Sequence, residues 1–219
     1  MEISSIIFDL DGTLLDTLDG LADTSNKVLQ QYNFPEHSSD DYKLFIGNGL
    51  RQLIKRAAPH GISTHIIDEC CELFKEFYAA DWKTKCCPYD GINAMLASLQ
   101  NQGIPLAILS NKPHQFTKLF VKEFFPEGTF EHVYGQRDGF DKKPEPGVAI
   151  EIAKMIEMNT RSILFIGDSG VDVQTGKNAG MKTAGVSWGF RPVEELAENQ
   201  PDLILNHPLE LLDHVIFTH

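Results

Sequence analysis

Two carboxylates one residue apart, Asp9 and Asp11, close the apolar run Ile6-Ile7-Phe8, and Gly12 follows at once. A short run of branched and aromatic residues is the pattern of a strand buried on both faces of a parallel sheet. Acids at its tip project into the crevice at the carboxyl ends of the strands, where open α/β sheets bind ligands. Two such acids repel each other, and a hard cation is the partner that offsets the cost. A polar turn, with Asp9 or Asp11 capping the next helix, is the plainer alternative. Other polar groups stand in equivalent places. Ser110-Asn111-Lys112 follows Leu106-Ala107-Ile108-Leu109. A hydroxyl there, beside backbone amides, can donate to an anionic oxygen, although Ser and Asn are also ordinary turn residues. Gly167-Asp168 follows Ile163-Leu164-Phe165-Ile166, with Asp172 one helical turn on. Lys143 precedes the helix expected after Pro146, where a lysine is unfavourable against the macrodipole unless it serves something else. A solvated loop lysine is the alternative, and Lys142 is read as one.

The elements that must position these groups fall into two patterns. From about Leu21 to Trp82 the spacing is helical, with Leu21, Val28, Leu29 and Tyr32 on one face. Leu50, Leu53, Ile54 and Ala57 form a second face, and Ile66, Cys70, Phe74 and Phe77 a third. Pro88, Asp90 and Gly91 mark the return to strands alternating with helices. Asp90 is expected to cap a helix carrying Ile92, Met95, Leu96 and Leu99, and Pro113 to open one carrying Phe116, Leu119 and Phe120. Strands are expected at 106–109, near 132–134, at 163–166, and near 183–186 and 203–205. Alternation of this kind means a parallel sheet with helices on both faces. The fold expected is α/β, a doubly wound parallel core over residues 1–16 and 86–219, with an inserted α-helical module over 17–85.

Composition narrows the partners. The chain has 219 residues, 42% of them hydrophobic, so a packed core is expected. A formal charge of -12 argues against nucleic acid, whose phosphates need clustered Lys and Arg. An acidic protein that handles phosphate therefore needs a local positive site or a metal. The first strand starts within a few residues of Met1, leaving no room for a signal peptide, and no apolar run reaches the length of a membrane span. A cytoplasmic location is expected. The four cysteines form the pairs Cys70-Cys71 and Cys86-Cys87, which lack the spacing of a zinc site. Core packing accounts for the first pair.

Four segments together resemble the haloacid dehalogenase superfamily. The string Ile6 to Thr13 is similar to that family's first signature, Asp-x-Asp-Gly-Thr after an apolar run, and Ser110-Asn111 to the second. Lys143-Pro144-Glu145-Pro146 resembles the third, and Gly167-Asp168 followed by Asp172 the fourth. The resemblance implies Asp9 as nucleophile, Asp11 as general acid/base, and Ser110 and Lys143 as catalytic groups. It implies Gly12, Ser110, Asn111 and Lys143 around the phosphate. Asp9, Asp168 and the backbone carbonyl of Asp11 would hold Mg²⁺, with Asp172 orienting a ligand water or Lys143. The helical insertion is similar to the cap of phosphoglycolate phosphatases, and Ile46 to Arg51 to a segment of it. Arg51 and Lys43 are the candidates there to face a substrate carboxylate or second phosphate, with solvated cap residues as the equal alternative. The implied partner is a small phosphorylated metabolite, and the implied activity a phosphatase working through an aspartyl phosphate. Asp11 disfavours a dehalogenase, because halide departure needs no proton. A β-phosphoglucomutase-like enzyme shares every core residue, although positions 40–55 carry no clear His-Lys pair. A phospho-accepting signalling switch is the alternative of another class, disfavoured by the first-strand nucleophile and the insertion.

Overall fold

The computed structural model describes residues 1–218. In chain order its first elements are β1 (Glu2–Ile3), β2 (Ser5–Phe8), β3 (Leu15–Asp16), α1 (Leu18–Gln31), α2 (Ser39–Phe45), α3 (Leu50–Ala57), α4 (Thr64–Asp81) and β4 (Cys87–Pro88). Then come α5 (Ile92–Asn101), β5 (Leu106–Pro113), α6 (His114–Phe124), β6 (His132–Gln136), α7 (Gly147–Met155), β7 (Ile163–Gly167), α8 (Gly170–Asn178), β8 (Lys182–Val186), α9 (Val193–Glu198), β9 (Leu203–Leu205), α10 (Leu211–His214) and β10 (Ile216–Phe217). Contacts divide the chain into two units, Met1–Asp16 with Pro88 onward, and Thr17–Cys87.

The first unit is built on a six-stranded sheet in the order β6-β5-β2-β7-β8-β9, and every pairing in it is parallel. The earliest of these strands lies inside the sheet. From β2 the chain builds outward through β5 and β6 on one side, then crosses back to lay down β7, β8 and β9 on the other. That reversal makes the carboxyl end of β2 a topological switch point, the place where such sheets open a ligand crevice. Register completes the placement. Phe8 pairs with Ile108 on one side and Ile166 on the other, so Asp9, Ser110 and Asp168 emerge at nearly one level.

Every residue of β2 and β7 is buried, which is why each reads as an unbroken apolar run. On one face Val148, Ala149, Ile152 and Ala153 of α7, with Ile156 just past its end, share a buried cluster with Ile7, Ala107, Leu109 and Phe165. Full burial of an Ile side chain contributes about 1.5–3 kcal/mol, so this face alone anchors the strand tips firmly. Strand β5 runs further than its apolar stretch. It continues through Ser110, Asn111 and Lys112, with a register shift against β6 between Leu109 and Pro113. An irregularity of this kind re-aims side chains at a strand end.

The second unit is four helices. Ser38 and Asp41 form a capping box at the start of α2, and Ser63 accepts from Ile66 N at the start of α4. The buried face of α4 is Ile67, Cys70, Cys71, Phe74 and Tyr78, one residue round from the expected stripe. Tyr78 stacks on Phe74 with centroids 5.1 Å apart, and this pair turns the helix so that Ile66 and Phe77 sit at the edge. Both cysteines of the first pair are buried, and all four are free thiols. Two expectations for the first unit change as well. Gly91, at φ +81°, is the N-cap of α5 in place of Asp90, because the tight entry needs a left-handed residue. Leu119 is exposed, since α6 buries Thr117 and Phe120 instead. Among the described residues no helix is long and apolar enough to cross a membrane.

Candidate active site

Asp9 leaves β2 with its backbone N–H donating to Ile166 O at 2.8 Å, which ties the strand tip to β7. The chain must then turn away sharply, and Gly12 takes φ +85° to do so. A Cβ at Gly12 would lie 2.7 Å from Asp168 Cγ, so only glycine lets this turn pass the carboxylate. From the other side the backbone N–H of Phe190 donates to Asp168 Oδ2 at 2.8 Å. The next turn is pinned to the first by Trp188, whose indole N–H donates to Thr13 O at 3.0 Å. Asp168 is thus held by backbone from two directions.

Lys143 enters this cluster with its side chain only 2% exposed. Its ammonium lies 2.8 Å from Asp9 Oδ1 and 2.6 Å from Asp172 Oδ1. The other oxygen of Asp172 accepts from Ser169 N at 3.1 Å and Ser169 Oγ at 2.6 Å, closing a capping box at the start of α8. Asp172 therefore does two jobs already, capping a helix and steering a lysine. Asn111 steers the same lysine through its backbone, accepting from Lys143 N at 2.9 Å and donating to Lys143 O at 3.2 Å. The side-chain amide of Asn111, a residue expected near the phosphate, lies against the main chain of Lys143. Ser110 is buried at the neighbouring strand tip, its hydroxyl accepting from Lys112 N at 3.3 Å.

The residue that sequence reasoning passed over is Lys112. Its ammonium lies 3.1 and 3.3 Å from the two oxygens of Asp11 and 4.2 Å above the Phe120 ring. The available signal was a lysine at the end of a strand otherwise buried throughout. Arg51 belongs to the helical unit, where its guanidinium pairs with Asp68 at 3.1 Å and its side chain is about half exposed at 48%.

Carboxylate oxygens of Asp9, Asp168 and Asp172 all lie within 4.8 Å of one another. Burial pushes the Asp9 carboxyl up to about 6, against the pull of Lys143, and the charges of Asp172 and Asp11 add to the rise. Burial likewise raises Asp168 well above the usual carboxylate range, reinforced by Asp172 and Asp9. Burial works against the Lys143 ammonium, yet Asp172 and Asp9 more than compensate and hold it charged. Four carboxylates thus face two ammonium groups, an excess that one divalent cation matches. Asp9 Oδ1 is buried and lacks an aligned hydrogen-bond donor despite the nearby Lys143, so it retains capacity for a metal. An all-oxygen donor set of this charge suits Mg²⁺.

A measurable consequence follows from the raised Asp9. A carboxyl that moves from 3.8 unfolded to about 6 folded stabilises most below 3.8, and that stability is lost as the pH rises to about 6. Mg²⁺ is expected to return it. At a hundredfold excess over Kd the gain is about 2.7 kcal/mol, on the order of 5–10 °C in Tm for a chain of this size. The gain should be present at pH 7.5 and shrink at pH 5, where protons compete for the same oxygens. A Tm that ignores Mg²⁺ at both pH values would remove the metal assignment.

Residues 6–186 match the family model for haloacid dehalogenase-like hydrolases. The chain belongs to that family. A phosphoglycolate phosphatase of Aquifex aeolicus is 30% identical over 207 residues, 94% of each chain. One of Psychrobacter arcticus is 28% identical over 223 residues, covering 99% of this hydrolase and 97% of the relative. Among solved structures, a protein of Lactobacillus delbrueckii subsp. bulgaricus provisionally named a phosphoglycolate phosphatase superposes with a TM-score of 0.90. It is 29% identical and covers 96% of this hydrolase and 97% of its own chain. The family places this hydrolase among enzymes, and these relatives resemble it from end to end.

Proposed function

We propose that this hydrolase is a Mg²⁺-dependent phosphatase of small phosphomonoesters bearing a carboxylate, of which 2-phosphoglycolate is the type. The observation that carries the reading is the separate lysine given to each acid of the first signature, Lys143 to Asp9 and Lys112 to Asp11. Two acids anchored independently can hold different protonation roles. Asp9 attacks phosphorus in line, and the bond to the leaving oxygen breaks as the Asp11 proton passes to it. Water then attacks the aspartyl phosphate, Asp11 takes its proton, and inorganic phosphate leaves with Asp9 restored. Lys143 and Ser110 donate to the equatorial oxygens as charge spreads over them. Asp9, Asp168 and the Asp11 backbone carbonyl are the proposed holders of Mg²⁺, which when bound neutralises the phosphoryl oxygens. Asp172, already committed to Lys143 and Ser169, supports from outside.

The names of the curated relatives support 2-phosphoglycolate as the substrate. The helical unit, residues 17–85, is proposed as the family's cap, with Arg51 in it meeting the free carboxylate. The four free thiols suit a reducing compartment, which supports a cytoplasmic place. The test is hydrolysis of 2-phosphoglycolate beside p-nitrophenyl phosphate, with Mg²⁺ and with excess chelator. Turnover of both should vanish in chelator. Arg51→Ala should raise KM for 2-phosphoglycolate by about 10–150-fold, the worth of a hydrogen bond between charged groups. For p-nitrophenyl phosphate, which offers no carboxylate, the change should stay within about twofold. Equal effects on both would overturn the assignment of Arg51, and no turnover of 2-phosphoglycolate would overturn the substrate.

A further inference from the structure

Lys112 is a buried charge that the mechanism above does not use directly. Its side chain is 3% exposed, against 12% for the Asp11 side chain it touches. The ammonium is therefore more deeply buried than the carboxylate. It stands nearly equidistant from both oxygens, at 3.1 and 3.3 Å, and so fixes the orientation of the carboxyl group. A lysine stem is flexible and its ammonium strongly hydrated, so burial needs fixed partners. Phe120, fully buried on α6, supplies a π face 4.2 Å below the nitrogen. Ser110 Oγ accepts the backbone N–H of the same lysine. The register shift in β5 separates Leu109 from Pro113, which brackets Lys112. Strand irregularity, ring and carboxylate together define one position for this ammonium, and with it one position for Asp11.

We infer that Lys112 is the positioning residue for Asp11, holding its carboxyl where the leaving oxygen departs. The inference rests on the reading of Asp11 as general acid/base. It has a specific signature. As the bond from phosphorus to the leaving oxygen breaks, the proton moves from Asp11 to that oxygen, and the need for it grows with the basicity of the leaving group. An alkoxide needs the proton; p-nitrophenolate departs without it. Displacing a catalytic group by about 1 Å can cost up to about 100-fold.

The test uses Lys112→Met, which keeps an apolar stem over Phe120, and reads kcat/KM across alkyl and aryl phosphates. That ratio reports only steps up to formation of the aspartyl phosphate. The expected fall is about 10–100-fold for alkyl phosphates and no more than about threefold for p-nitrophenyl phosphate, a steeper dependence on leaving-group basicity. Damage to folding or to Mg²⁺ binding would lower both alike, and parallel falls, or none, overturn the inference. Asp11→Asn with Lys112→Met removes both charges together, so no unpaired ion is left buried. If Lys112 acts through Asp11, this double variant should match Asp11→Asn alone within about threefold, the non-additivity of a coupled pair. A further tenfold loss would place the action of Lys112 elsewhere. Should Asp11→Asn itself fail to discriminate among leaving groups, the acid/base reading falls, and this inference with it. Should Asp11→Asn discriminate and Lys112→Met not, the positioning role alone is refuted.

Discussion

Asp9→Asn is expected to lower turnover to less than about a thousandth of wild type, the scale of loss when a covalent nucleophile is removed. The amide is nearly isosteric with the carboxylate but cannot displace an alkoxide from phosphorus. Its effect on stability should run the other way. Burial already pushes Asp9 up to about 6, so near neutral pH the ionised form is held at a cost to folding. An uncharged Asn escapes that cost, and Lys143 keeps Asp172 at 2.6 Å as its counter-ion. Metal-free Asp9→Asn should therefore unfold at a Tm no lower than wild type while being inactive. The pairing of lost activity with retained stability identifies a chemical role for Asp9. Rates above a thousandth of wild type, measured with active-site titration, would sink the covalent mechanism. A large drop in Tm would show that Asp9 is needed for the fold.

The strand tips were legible because buried parallel strands carry no alternation to confuse the pattern. Ile6 to Phe8 and Ile163 to Ile166 are apolar throughout, and the first polar residue after each marks where the crevice begins. Asp9 and Asp168 could be placed on that basis, and the structure brings both into one buried cluster with Lys143 and Asp172. What escaped depends on contacts between distant segments. Lys112 meets Asp11 across 101 positions, and its place at the end of a buried strand is a local sign that does not name its partner. Nothing local shows that the Asn111 amide meets the backbone of Lys143, 32 positions away. Helix faces were legible in period and less so in phase. In α4 an apolar residue flanks each side of the true stripe, so one step of rotation had no local penalty. Leu119 was misplaced for the same reason, with Phe120 beside it taking the core position.

Asp11→Asn should separate the two chemical steps. With p-nitrophenyl phosphate the leaving group departs without a proton, so formation of the aspartyl phosphate should proceed at close to the wild-type rate. The second step still needs a base to take the proton from water, and an amide offers none. The expected time course is a burst of p-nitrophenol stoichiometric with enzyme, then slow turnover, with phosphate retained on Asp9. With an alkyl phosphate both steps fail, and the loss should reach about 10² to 10⁴-fold, the usual contribution of a positioned acid or base. The fold should tolerate the change. Breaking a buried ion pair outright costs about 3–5 kcal/mol, but the Asn side chain keeps an oxygen for the Lys112 ammonium, so the penalty is smaller. Rapid-quench detection of labelled phosphate on the protein is the decisive measurement. Wild-type rates on alkyl phosphates, or no trapped phosphate after the burst, would remove Asp11 from proton transfer and leave Lys112 as an ion pair with no chemical consequence.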